Sequence, residues 1–314
     1  MSTTPLQAPL AIMFQLKLFF ALSRTPHALL DLAAPAFAAL LWHGAIPPIE
    51  ITILGLVTAF AGYTAVYALN DLVDHRVDKK RVDDGLLPQA QNDLDAIFVR
   101  HPIAYGLLPF TRAALWAAAW ALLALVGAYL LNPLCAVIFL VSCLLESIYC
   151  LMWKTTYLKV IISGVVKTSG AVAAVYAVDP NPSLPHLALL FFWLFFWEIG
   201  GQNIPNDWAD IEEDRTLRAI TIPVQFGFVW TSRIILFSLF CVLILSTLLF
   251  VLLVTPFSRI EELAACLVIG IYLLILPAYR LYRARDRVHA LALFNRASYY
   301  PLALLGLIVL IFAA

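Results

Sequence analysis

Two copies of the pattern N-D-x-x-D-x-x-x-D stand in this chain, Asn70-Asp71-Asp74-Asp78 and Asn206-Asp207-Asp210-Asp214, with the same spacing in each. On an α-helix, at about 100° per residue, the four positions share an arc of roughly 100° and climb about 12 Å. Each copy is therefore a stripe of carboxylates pointing one way. Such a stripe repels itself unless a cation neutralises it. Hard divalent cations such as Mg²⁺ take oxygen ligands, which they often share with substrate phosphates. The Asn that opens each copy can ligate through its amide oxygen without adding charge, while its NH₂ can donate to a carboxylate or phosphate. Two stripes face to face would cage a metal-bridged diphosphate. A solvated helical loop would account for one copy, but the same grammar twice on one side of a membrane argues against it. Glu212 and Glu213 fall outside the shared positions and read as loop charges.

The elements that must hold these stripes are apolar. Of 314 residues 63% are hydrophobic and 13% charged, and the mean hydropathy of +0.90 is far from that of a soluble globular domain. Runs long enough to cross a bilayer predict nine spans, at 26–44, 50–69, 112–131, 134–152, 160–178, 186–203, 231–254, 262–280 and 292–313. The expected fold is an all-α membrane protein, a bundle of about nine transmembrane helices. Residues 1–25 form an N-terminal segment without the basic region of a cleaved signal peptide. Within it, 10–20, interrupted by Gln15 and Lys17, read as an interfacial helix. Residues 26–314 form a single transmembrane domain, with the motifs in polar loops 70–111 and 203–232. All five cysteines lie within predicted spans without zinc spacing, and read as packing residues.

Charge placement orients the bundle. With the nine spans alternating, all 20 Lys and Arg residues except Arg259 and Lys167 fall on one side. By the positive-inside rule the N-terminus and both Asp motifs then face the cytoplasm. This is the pattern of a multi-pass bacterial or archaeal-type inner or cell membrane protein, and no nucleic-acid partner is expected. Lys154, Lys159 and Lys167 bracket the start of the fifth span, and Arg215 and Arg218 follow the second motif. Basic residues at such a boundary are routine, and Lys159 and the group at 280–287 read that way. Lys167 lies about two turns inside its span, where an ammonium faces a partner or a watery cavity. It is expected to reach the diphosphate. Glu146 and Glu198, also inside spans, read as lysine partners or acceptor-side contacts.

These residues resemble the UbiA superfamily of intramembrane prenyltransferases. The two Asp motifs stand after the second and sixth spans, as in that family. Arg100-His101-Pro102-Ile103-Ala104 with Gly106 is similar to its R-P-L-x-x-G stretch, and Tyr149 to Lys154 to its Y-x-x-x-x-K. Asp214-Arg215 through Thr221, Pro223 and Gly227 is similar to the tail of its second motif. Three departures stand out. The 79–99 loop is longer than usual, Lys167 stands where an Arg is frequent, and His101 interrupts the R-P-L run.

The resemblance implies nine helices around a central cavity with a cytoplasmic polar cap, Mg²⁺ as cofactor and an isoprenoid diphosphate as donor. The acceptor would be hydrophobic, often aromatic, such as a quinone precursor. The metal ligands would be Asn70, Asp71, Asp74, Asp78, Asn206, Asp207, Asp210 and Asp214. Lys154, Lys167 and Arg215 would stabilise charge on the leaving diphosphate, and Arg100, Tyr149 and Arg218 would bind substrate. Tyr63, Tyr67, Tyr149, Phe195 and Trp197 are candidates to face an allylic cation. An intramembrane terpene cyclase would share the metal site. A divalent-cation or small-molecule transporter fits less well, because its site would lie near the midplane rather than at span ends. Acceptor identity, prenyl length and oligomeric state are left open by the sequence.

Overall fold

The computed structural model describes residues 7–85, 99–254 and 260–313. Among them the chain is helical, with no strand. In order come α1 (Gln7–Leu22), α2 (Thr25–Asp31), α3 (Ala33–His43), α4 (Ile49–Asp83), α5 (Phe110–Leu131), α6 (Pro133–Met152) and α7 (Lys159–Val178). Then follow α8 (Leu184–Trp197), a π-helical turn (Glu198–Asn203), α9 (Ile204–Ala209), α10 (Ile211–Thr216) and α11 (Ile222–Leu249). The last elements are α12 (Ile260–Gly270), α13 (Leu276–Ala284), α14 (Arg287–Ser298) and α15 (Tyr300–Ala313). Among the described residues eight stretches are long and apolar enough to cross a membrane. The first predicted span is present as two shorter helices, α2 and α3. Their break at Leu32 lies just before Pro35, which has no N–H to donate and whose ring crowds the carbonyl of Asp31.

Two further departures bear on the site. The motif-bearing loop expected from residue 70 is helix as far as Asp83, because its Asp, Lys and Arg residues allow α4 to run on past the apolar stretch. Residues 86–98, most of the long loop, lie outside the described residues, as does Arg259. The second motif is not one helix. A π-turn precedes it, and Asp210 breaks α9 from α10 with φ −102° and ψ 14°. Pro205 cannot donate to the carbonyl of Gly201 four residues back, so the helix widens there. The same device recurs at Ile271–Ile275, ahead of Pro277.

The largest buried cluster joins α3, α7, α8, α11, α13, α14 and α15, with Trp193, Trp197, Tyr300, Phe37 and Phe250 at its centre. α4 and α5 pack through small residues, Ala61, Ala65 and Ala68 against Ala113, Ala117, Ala124 and Ala128. Such stripes let two backbones approach closely where no hydrophobic effect drives helices together. Outward-facing side chains are apolar: Leu115 is 72% exposed, Leu151 71% and Leu310 69%. A continuous belt of this kind requires lipid rather than water. The chain is an integral, multi-pass membrane protein.

Gly200, inside the π-turn, fixes how closely that turn meets α11. A Cβ there would lie 2.7 Å from the Cβ of Ser238 and 3.1 Å from the carbonyl oxygen of Ile235, whereas one at Gly306 would meet nothing within 4 Å. Gly200→Ala is expected to cost about 1–3 kcal/mol by overpacking, and Gly306→Ala to be neutral or stabilising by up to about 1 kcal/mol. Thermal midpoints of the detergent-solubilised variants check this. Equal midpoints would show that the π-turn is not tightly packed.

Candidate active site

The site begins where α4 leaves the apolar layer. Asp71 and Asp78 are two turns apart and nearly in register, so both carboxylates turn inward and are buried, at 3% and 2% exposure. The Nδ1 of His101 sits between them, 3.2 Å from Asp71 Oδ1 and 3.0 Å from Asp78 Oδ2. His101 is held in the left-handed region at φ 56°, a strained backbone of the kind that collects at functional sites. Arg24, at the junction of α1 and α2, donates to Asn70 Oδ1 at 3.2 Å and lies 3.6 Å from Asp71 Oδ1. The Asn70 amide donates in turn to Glu146 Oε1 at 2.7 Å. Arg81 pairs with Asp78 at 3.1 Å and, through Nε, with Glu213 at 2.7 Å. That guanidinium ties the α4 extension to α10, so Glu213 is a strut rather than a loop charge.

The second stripe is held differently. Lys159, at the start of α7, is 3% exposed and pairs with Asp207 at 2.8 Å. Thr221 donates to Asp214 Oδ2 at 3.0 Å. Burial, reinforced by the nearby Asp207, pushes the Asp214 carboxyl up to about 7, with Lys159 and Thr221 opposing. Asp74 and Asp210, both half-buried, make no ion pair among the described residues.

Beside the stripes opens a cavity of ≈ 320 Å³. Asn70 and Asn206, the first residues of the two motifs, both line it, together with Arg24, Arg100 and Tyr149. From there it descends between α4, α6 and α7 to Pro47 just before α4, Leu131 at the end of α5 and Val178 at the end of α7. Lys167 lines its middle, but its ammonium is engaged by Asp31 at 2.6 Å and Tyr67 at 3.0 Å.

The structure thus brings Asn70, Asn206, Arg100, Tyr149 and Lys167 to one cavity, with Asp71, Asp78, Asp207 and Asp214 buried beside it. It does not bring Lys154, Arg215 or Arg218 there. Each is exposed and absent from the cavity wall. Lys154 lies over the Trp153 ring at 5.3 Å, and Arg215 turns back to Glu212 at 3.1 Å. Lys154 sits in the turn after α6 and Arg215 follows α10, and neither reaches inward. Lys167, expected at the diphosphate, is held by a carboxylate of α2 instead. Nothing in the sequence assigns a role to Arg24, Asp31 or Arg81, His101 stands out there only as a departure from the R-P-L run, and Lys159 reads as a routine boundary charge. One signal for Lys159 was present: Lys159, Ser163 and Lys167 recur every four residues and share one helix face.

The donor set suits a hard divalent cation. Two motifs of oxygen donors converge on one polar cap, where Arg81 ties the first motif to Glu213 of α10. Residues 32–305 match the UbiA prenyltransferase family. The chain belongs to that family. Among solved structures it is similar to a UbiA homolog from Aeropyrum pernix K1, at 17% identity and a TM-score of 0.71, covering 90% of this chain and 97% of that one. It is similar as well to a UbiA homolog from Archaeoglobus fulgidus bound to DMAPP and Mg²⁺, at 17% identity and a TM-score of 0.66, covering 94% and 99%. A digeranylgeranylglyceryl phosphate synthase is a third, at 19% identity and a TM-score of 0.64, covering 95% and 96%. No curated protein matches the chain in sequence. At these identities the structural likenesses show a shared UbiA fold.

Within this family member His101 acts as an internal cation. Burial works against a charged ring, but Asp71 and Asp78 outweigh it and raise the pKa from 6.5 to about 9. The folded value lies above the ordinary one. The stabilisation is therefore complete below about pH 6.5 and lost as pH rises through about 9, a change of about 3 kcal/mol. In chelator the thermal midpoint should fall across that window, and His101→Asn, which tolerates the left-handed backbone, should flatten the fall. An unchanged slope in the variant would show that another group sets it.

Proposed function

We propose that this protein transfers a prenyl group from an isoprenoid diphosphate to a hydrophobic, most simply aromatic, acceptor within the membrane, with Mg²⁺ as cofactor. One observation carries the reading. Asn70 and Asn206, the leading residues of the two acidic motifs, line one end of a single cavity whose walls toward the other end are apolar. A diphosphate with a long apolar tail has this shape and polarity. The Archaeoglobus fulgidus homolog bound to DMAPP and Mg²⁺, and its form bound to GPP and Mg²⁺, support it.

The ligand set would be drawn from Asn70, Asp71, Asp74, Asp78, Asn206, Asp207, Asp210 and Asp214. Mg²⁺, when bound, supplies Lewis-acid neutralisation of the departing diphosphate and a template for it. The chain's own residues do the rest. Arg24 and Arg100 present guanidinium groups to phosphate oxygens at the cavity mouth, where they pre-form charge stabilisation. His101, Arg81 and Lys159 hold the carboxylates in place before ligand arrives. Tyr149 and Tyr63 offer aromatic faces to an allylic cation deeper in the cavity, and the apolar walls keep water from it. The catalytic unit is the transmembrane domain of residues 26–314 together with Arg24, which the N-terminal segment contributes. The positive-inside pattern sets its polar cap at the cytoplasmic face of the membrane.

Asp74→Ala or Asp210→Ala should lower turnover about 10²-fold or more while the thermal midpoint is kept. The check is mass spectrometry of products from geranylgeranyl and longer diphosphates with a panel of acceptors. EDTA should stop the reaction and Mg²⁺ restore it. Near-normal turnover in folded variants would remove the metal cage, and a cyclic product made from the diphosphate alone would make the protein a cyclase.

A reporter fused after Ala314 should read outside the cytoplasm. A cytoplasmic reading would break the nine-span orientation.

A further inference from the structure

Below the phosphate end the cavity carries a second polar constellation, and two acceptor atoms in it, Glu198 Oε2 and Asn203 Oδ1, lack a partner among the described residues. Glu198 is the first residue of the π-turn, only 7% exposed, and lines the cavity. Its Oε1 accepts from Ser163 at 2.6 Å, while Oε2 has no hydrogen-bond partner among the described residues. Ser163 accepts from Asn203 at 3.0 Å, and the same amide donates to the Tyr149 hydroxyl at 3.0 Å. The π-turn makes this arrangement. Its extra residue lets Glu198 and Asn203, five apart, face the same space. Lys167, the cation lining the same stretch, is bonded to Asp31, which does not line the cavity.

A buried carboxylate oxygen left idle in an apolar cavity is costly, and an ionised carboxylate can only accept hydrogen bonds. The group that completes it must donate one. A ligand carrying its own carboxylate or phosphate at this point would add like charge to like charge. Tyr63, Tyr149 and Phe294 line the same cavity and offer faces to a ring.

We infer that Glu198 binds the hydroxyl of a neutral phenolic acceptor and takes up its proton. This rests on the prenyl-transfer reading. The bond between the allylic carbon and the diphosphate oxygen breaks, with its electron pair leaving on the diphosphate. The acceptor hydroxyl gives its proton to Glu198 Oε2. The acceptor oxygen, or a ring carbon activated by that loss, forms the new bond to the allylic carbon. In the carbon case the ring proton returns to oxygen by tautomerisation.

The test uses the purified full chain with Mg²⁺ and geranylgeranyl diphosphate, hydroquinone as the neutral probe and 4-hydroxybenzoate as the anionic comparator. Donor binding is measured separately by calorimetry without acceptor. The wild type should prenylate hydroquinone at least about 10-fold more efficiently than 4-hydroxybenzoate. Glu198→Gln should lower kcat/KM for hydroquinone about 10²-fold or more, the range of a lost general base, with the donor Kd within about twofold. Glu198→Asp should recover part of that loss. Ser163→Ala should cost about 10-fold, also without change in donor Kd, and serves should the Gln variant fail to fold. The inference is overturned if the variants keep wild-type efficiency. It is likewise overturned by a donor-binding wild type that prefers the acid or leaves hydroquinone unprenylated. A wild type that binds no donor with Mg²⁺ would instead bring down the prenyl-transfer reading, and this inference with it.

Discussion

Two stripes of carboxylates cannot be held opposite one another unless cations stand between them, and much of the polar cap follows from that requirement. Arg24 comes from the junction of α1 and α2, Arg81 from the end of α4, His101 from the segment after the long loop and Lys159 from the start of α7. Four separate parts of the chain therefore meet at the motifs. Arg81 shows the consequence most directly: one guanidinium reaches Asp78 on one side and Glu213 on the other. Like charges a few ångströms apart repel by several kcal/mol at the intermediate dielectric of such a site, about 4 kcal/mol at 4 Å. The stripes face each other because the cations come with them.

A second constraint acts deeper, where no water compensates an unmatched polar group. The chain answers it pairwise, with Lys167 on Asp31 and Tyr67, Ser163 on Glu198, and Asn203 on Tyr149 and Ser163. These pairs lie on α2, α4, α6, α7 and the π-turn, the elements that wall the cavity. They fix the wall's shape as well as its charge, since each bond joins two helices. Small residues complete the arrangement. Gly200 permits close contact of the π-turn with α11, which sets the direction in which Glu198 and Asn203 project.

Much of this was legible in the residues. The N-D-x-x-D-x-x-x-D spacing already states that four polar side chains share a helix face, and α4 displays them so. Apolar run length located the crossings, because a bilayer imposes one length on every helix. What stayed hidden depends on approach in space. Asp31 and Lys167 are far apart in sequence, and nothing near either residue names the other. Lys159 resembled any basic residue at a membrane boundary, and only its burial against Asp207 sets it apart. Lys154, Arg215 and Arg218 carry the same chemistry as the cations that do line the site. Side-chain direction alone excludes them: Lys154 sits in the turn between α6 and α7, and for Arg215 and Arg218 the direction depends on where α10 begins, which Asp210 decides by breaking the helix. The break itself was unreadable because the motif spacing is compatible with an unbroken helix.

The two stripes are matched unequally. At the first stripe Asp71 and Asp78 are met by Arg24, Arg81 and His101, three cationic side chains around two carboxylates, while Asp74 makes no ion pair among the described residues. Asp207, Asp210 and Asp214, with Glu213 beside them, have Lys159 and a share of Arg81. The remaining contact to Asp214 is the neutral hydroxyl of Thr221, and burial already holds that carboxyl near neutrality's edge, at about 7. An incoming diphosphate would find guanidinium groups at the first stripe but an uncompensated negative field at the second. Bringing that anion between the stripes therefore calls for added positive charge on the α9–α10 side. A need for a divalent cation thus follows from this chain's own charge balance as well as from its family.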